Sequence, residues 1–235
     1  RTELSEVDNP SMTWDSADGT MPELEATVVN AAGERLALTH HPAWGIGDAA
    51  TAPVVVLCHG MESHQRGKVA HIARVLQREG MSALRFDHAG CGDSDGPHEP
   101  IDVLRRVEDV EAVLAWLESS HPHHGTVAFA GSSMGAAVSL VAAARQGAPA
   151  WAGIATPIRF WSVVRAEAKD FEGHGLVIWG DADEVVPPLD SQWLVHVLDE
   201  RSHTLVFAGG DHRLKQHVPA IAKRMAYFFA RFLVA

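Results

Sequence analysis

The stretch Thr126-Val127-Ala128-Phe129-Ala130-Gly131-Ser132-Ser133-Met134-Gly135 decides the fold. It begins as a short apolar run of β-forming type and ends in Gly-x-Ser-x-Gly, and an Ala-rich segment of helical spacing, Met134 to Arg145, follows. A strand that turns sharply into a helix forces the middle serine into a strained backbone conformation. Glycines two residues to either side remove the side chains that would clash there. Ser133 is therefore the candidate nucleophile, exposed at a helix N-terminus whose dipole favours negative charge. Ser132 is the rival hydroxyl, but the glycine spacing does not fit it.

Working outward, near-continuous apolar runs recur at Val54 to Cys58, Met81 to Phe86, Ala152 to Thr156, Leu176 to Trp179 and Thr204 to Phe207. Runs of this kind suit parallel strands covered on both faces. Segments with helical periodicity lie between them: Lys68 to Arg78, Ile101 to Glu118, Leu189 to Leu198 and Val218 to Leu233. In the second of these, Leu104, Val107, Val110, Val113, Leu114 and Leu117 trace one apolar stripe, with Arg105, Arg106, Glu108, Asp109 and Glu111 mostly opposite. The alternation predicts an α/β domain with a doubly wound, mostly parallel sheet and helices on both faces. Ahead of it, Leu24 to Asn30 and Glu34 to His41 read as a hairpin around Ala31, Ala32 and Gly33, an antiparallel edge. Residues 1–235 form a single domain on this reading, with residues 1–22 a polar lead.

Three further segments match the α/β-hydrolase superfamily in order, and the chain resembles its esterase, monoglyceride-lipase and serine-aminopeptidase branch from Pro53 to Arg231. Val54 to Cys58 followed by His59-Gly60-Met61 looks like the strand whose next residue offers a backbone N–H to an oxyanion. The resemblance thus implies an oxyanion hole of the Met61 and Met134 amides, with His59 structural. Asp87-His88-Ala89-Gly90-Cys91-Gly92-Asp93-Ser94 resembles the supporting D-x-x-G-x-G-x-S loop. Gly180-Asp181-Ala182-Asp183-Glu184-Val185-Val186-Pro187 resembles G-x-x-D-x-x-V-P, which implies Asp183 as the triad acid over Asp181, Glu184 and Asp211. The family places its histidine in the loop after the next strand, which implies His212 as base over His217. The order Ser133, Asp183, His212 is the order this fold imposes.

The resemblance implies a serine hydrolase acting through an acyl-enzyme on carboxylic esters of small to medium acyl chain. Thioesterase, lipase, and amidase or peptidase are the alternatives with the same triad, since the fold does not set the leaving group. A non-catalytic binding module of the same fold is the reading from another class, and an intact triad disfavours it. Where relatives carry a helical cap, only residues 157–175 are present here, so the cap is short or missing. The segment Ile158 to Gly173 is expected to roof the site, with Phe160, Trp161 and Val185, beside Met61 and Met134, as apolar pocket residues.

Composition narrows the partners. The 19 basic and 30 acidic residues give a formal charge of −11 with no basic cluster, which excludes a nucleic-acid role. Apolar runs fall short of the roughly 20 residues a membrane-spanning helix needs, so no integral membrane association is expected. Tyr227, Phe228, Phe229, Phe232 and Leu233 read as a helix packed on the sheet rather than a lipid-binding face. Cys58 and Cys91 form no disulfide framework, and with no secretory pattern at the N-terminus the expected location is cytoplasmic, although a start at Arg1 points to trimming. His121, His123 and His124 sit in a polar loop and His40 and His41 show no partners, so neither a metal nor an organic cofactor is expected. Monomer and homodimer both stay open.

Overall fold

A computed structural model of the chain describes residues 21–45, 48–61, 63–98 and 102–233. The polar lead lies almost wholly outside the described residues, as do Ile101 and the last two residues. Eight strands form one sheet: β1 (Leu24–Val29), β2 (Arg35–His41), β3 (Val54–Cys58), β4 (Ser82–Phe86), β5 (Val127–Ser132), β6 (Ala150–Ile154), β7 (His174–Gly180) and β8 (Ser202–Phe207). Their spatial order is β1-β2-β4-β3-β5-β6-β7-β8. β1 and β2 are an antiparallel hairpin, β2 joins β4 antiparallel, and every other pairing is parallel. Gly33, at φ +81°, closes the hairpin turn, and Asn30 Oδ1 accepts the Ala32 and Glu34 amides.

Among the described residues the α-helices are α1 (Lys68–Arg78), α2 (Val103–Ser120), α3 (Met134–Arg145), α4 (Ser162–Asp170), α5 (Pro188–Leu198) and α6 (Val218–Leu233). Two apolar cores divide them. On one face, Val69, Ile72 and Leu76 of α1 meet Ile221, Met225 and Phe229 of α6 over Val55, Ala128 and Ala130. On the other, residues of α2, α3, α4 and α5 pack over Val54, Phe129 and Trp151. α3 is buried from Met134 through Ala143, so it needs no polar face, and its small side chains let it lie close under the sheet centre. No helix among the described residues is long and apolar enough to cross a membrane.

Three expectations change. α4 does not roof a site: Val164, Ala168 and Phe171 enter the core, and α4 packs beside α3 and α5 as the crossover helix between β6 and β7. The polar face read into α2 is partly interior, since Asp109 is 0% exposed and Arg106 is buried. His40 and His41 do have partners. His40 lies edge-on to Trp116 and 4.5 Å from the His121 ring, and His41 Nε2 accepts from Arg85 Nε at 2.8 Å. Burial pushes both imidazoles down to about 4, which leaves them neutral.

Asp109 is the hub of a buried polar network. It accepts Asn30 Nδ2 at 2.9 Å, His88 Nδ1 at 3.1 Å and the Ala89 amide at 3.1 Å, so it ties the hairpin, α2 and the loop after β4 together. Burial alone would raise its carboxyl, but these hydrogen bonds and the interaction with His88 outweigh burial and lower it. The stability it contributes is therefore present above the ordinary carboxylate range and lost as pH falls through its depressed folded value. Asp109→Ala removes the acceptor of the buried His88 ring and Ala89 amide and one of two acceptors of Asn30 Nδ2, and urea unfolding at pH 7 is expected to show a loss of about 3 kcal/mol. A loss under about 0.5 kcal/mol would show that the network does not hold these elements together.

Candidate active site

β5 delivers Ser133 at its C-terminal end, with φ 53° and ψ −124°. A non-glycine residue in that region costs on the order of 1–3 kcal/mol and persists only where its surroundings enforce it. The enforcement is visible in the flanking glycines. A Cβ on Gly131 would stand 2.2 Å from the Gly135 carbonyl oxygen, and one on Gly135 would stand 2.3 and 2.4 Å from the Cys58 and His59 oxygens. The elbow is thus pressed against the end of β3. A Cβ on Gly60 would lie 3.1 Å from Ser132 O and 3.4 Å from Ser133 Cβ, so the loop carrying Met61 rests directly on the elbow.

Asp183 and His212 arrive on the loops after β7 and β8. A Cβ on Gly180 would stand 2.1 Å from Gly210 O, the Ala182 amide donates to Gly210 O at 3.1 Å, and the Gly209 amide donates to Asp181 Oδ1 at 2.6 Å. This close approach brings Asp183 and His212 together. His212 Nδ1 donates to Asp183 Oδ2 at 2.8 Å, and His212 Nε2 lies 3.1 Å from Ser133 Oγ, placed to accept its hydrogen. The other Asp183 oxygen accepts the Val185 and Val186 amides at 2.9 and 2.8 Å, so the buried carboxylate cannot swing away. Ser133, Asp183 and His212 are therefore assembled as a contiguous chain of hydrogen bonds.

The competing residues are occupied elsewhere. Asp181 holds the Gly209 amide, Asp211 Oδ1 accepts the Leu214 amide at 2.8 Å, and the His217 ring stacks on Phe207. Glu184 is exposed. Ser132 shares the strand parity of Ala128 and Ala130, which face α1 and α6, and its Oγ accepts from Lys68 Nζ at 3.1 Å beneath the elbow. His59 Nδ1 donates to Gly60 O at 2.7 Å while its Nε2 accepts the His88 amide, and burial with the nearby His88 holds it neutral. It shapes the Met61 loop. Asp87 supports that loop too, accepting the Gln65 amide at 2.6 Å and the Asp93 amide at 3.1 Å. Burial raises the Cys58 thiol, so it is no thiolate nucleophile.

Of the pocket candidates, Phe160 is 62% exposed on the loop leaving β6, and Val185 is 63% exposed beside the acid. Met61 is 52% exposed. Trp161 packs partly into the core, and Met134 is buried. A separate polar cleft of about 490 Å³ over β1, β2 and α1 is lined by paired charges, Glu23 with Arg74 and Arg85, and Arg66 with Asp93. None of the triad residues lines it. The residue that sequence reading missed is Lys68, because a lone lysine opening a helix carries no signal of what it faces.

A family model described as serine aminopeptidase, S33, matches residues 49–160. A solved serine hydrolase without lid from Xanthomonas campestris superposes with a TM-score of 0.77 at 24% identity, covering 92% of this chain and 98% of that one. A serine hydrolase homologue from Coxiella burnetii gives 0.77 at 22% identity over 90% of this chain and 100% of that one. The chain has the α/β-hydrolase fold. Among curated relatives, a thiohydrolase of Aspergillus aculeatus is 30% identical to this hydrolase-fold chain over 107 residues, 45% of this chain and 31% of the relative. A quorum-quenching protein of Acinetobacter baumannii is 32% identical over 68 residues, 28% of this chain and 22% of that protein. The matched stretches thus span a third or less of these relatives.

The elbow packing yields a direct test. Gly135→Ala places a methyl group into the Cys58 and His59 carbonyls, and the strand end must separate from the helix to admit it. The variant is expected to lose at least tenfold in its rate of labelling by a fluorophosphonate while retaining helical circular dichroism, or to lose several degrees in Tm. Unchanged labelling and an unchanged Tm would show that the contact is soft.

Proposed function

We propose that this chain is a serine hydrolase that cleaves carboxylic esters of small to medium acyl chain through Ser133, His212 and Asp183. The observation that carries the reading is the unbroken geometry from Asp183 Oδ2 through both His212 nitrogens to Ser133 Oγ, 2.8 and 3.1 Å. Ser133 attacks the acyl carbonyl as His212 Nε2 takes its proton, and His212 then passes that proton to the leaving alkoxide. The Met61 and Met134 amides, one on the loop against the elbow and one opening α3, bind the oxyanion. Water activated by His212 releases the acid. Asp183 stays ionised and fixes the imidazole tautomer with Nδ1 protonated.

The open setting supports the acyl range. With α4 in the helical layer and Met61, Phe160 and Val185 exposed, nothing in the described structure encloses a long chain. A thioester is the second reading, favoured by the relative named a thiohydrolase, and it needs no change in the acyl-transfer residues. The partner on this reading is a small-molecule acyl ester.

Hydrolysis of p-nitrophenyl esters from acetyl to palmitoyl tests this. Short and medium chains are expected to turn over, and Ser133→Ala is expected to remove the activity. Asp183→Asn is expected to lower kcat by about 10⁴ with the fold intact, because the imidazole tautomer is lost. Faster Ser133-dependent turnover of the matching thioesters would assign the second reading, and a palmitoyl preference would overturn the open-site argument. A folded protein with no Ser133-dependent turnover on any ester or thioester would overturn the reading as a whole.

A further inference from the structure

Lys68 opens α1 directly after the loop that carries Met61, yet its amine is turned under the elbow. Nζ donates to Ser132 Oγ at 3.1 Å, one residue before the candidate nucleophile. The charged groups acting on it are Asp183 in the β7 loop and Asp211 in the β8 loop, the residues that hold and precede His212. Around the helix start, α1 and α6 otherwise present apolar side chains, Val69 and Ile72 against Ile221 and Ala222. The ammonium is therefore hydrogen-bonded to the elbow and lies within electrostatic reach of the carboxylates on the two loops. The elbow follows β5, whereas Asp183 and Asp211 lie on the loops after the neighbouring strands β7 and β8.

We propose that Lys68 is a positioning residue, whose positive charge clamps the nucleophile elbow to the loops of Asp183 and His212 from below. The ammonium attracts the carboxylates of both loops, and its hydrogen bond fixes Ser132 next to Ser133. Without the charge, the His212 loop is free to draw back from Ser133 Oγ, and nucleophile activation falls. Burial lowers Lys68 to about 8, against the opposing pull of Asp211 and Asp183, so the clamp weakens within an accessible range. A group that acts through its protonated form is active below that value and loses effect as pH rises through it.

The inference rests on Ser133 being the nucleophile, so the readout is the rate of covalent labelling by a fluorophosphonate, which needs no knowledge of the substrate. Rates are measured from pH 6 to 10 for the native chain, Lys68→Met and Lys68→Arg, each checked for native circular dichroism. The native rate is expected to fall about tenfold with a midpoint near pH 8. Lys68→Arg, which keeps its charge throughout, is expected to retain the rate at pH 7 and lose the alkaline fall. Lys68→Met is expected to label at least tenfold more slowly at pH 7 with no midpoint near 8. A native profile without an alkaline fall, or a folded Lys68→Met variant with the native profile, would overturn the clamp. Absence of Ser133-dependent labelling in the native chain would instead overturn the nucleophile assignment.

Discussion

Everything at the candidate site depends on one steric constraint, the contact between the Gly131 to Gly135 turn and the C-terminal end of β3. Backbone presses on backbone there, with no room for a β-carbon at either glycine, and the strain at Ser133 is balanced by that packing. The buried, alanine-rich α3 lets the turn sit so low. Gly60 rests on the same turn from the other side. The serine hydroxyl, the start of α3 and the Met61 loop thus move as a unit.

A second close approach, Gly180 against Gly210, does for Asp183 and His212 what the first does for Ser133. The loops after β7 and β8 leave neighbouring parallel strands in the same direction. Contact between their glycines converts that adjacency into a fixed distance between Asp183 and His212. The elbow and the two loops are joined through His212 Nε2 and through β6, where the Ser133 amide donates to Ile154 O and the Ala155 amide to Ile178 O.

Much of this was legible in the residues, for physical reasons. β3, α1, α3 and α6 begin and end where apolar periodicity and glycine punctuation place them, because those segments are interior and carry strong patterns. β6 was read two residues late: Ala155 and Thr156 look like strand formers, but Ala155 turns to φ 51° and ends the strand at Ile154. β5 runs on to Ser132 because Gly131 and Ser132 pair with Gly153 and Ile154, a partner that local pattern cannot supply. Asp109 and Arg106 were assigned to a solvated face, since a buried charged network and an exposed one share the same spacing. Motif order singled out Ser133, Asp183 and His212, which the fold brings into hydrogen-bond contact, whereas Lys68 acquires meaning only from what the fold sets around it.

The position of β8 has a consequence for how this molecule can fail or be controlled. Among the described residues β8 is the last strand of the sheet and is hydrogen-bonded on one side only, to β7, while β5 is held on both sides. An edge strand opens at lower free energy than a central one. The proposed base hangs from the frontier of the sheet and the proposed nucleophile from its interior. Peeling of that margin would carry the imidazole away and leave an intact elbow bearing an inert hydroxyl, a folded yet silent species set by the tightness of a single seam.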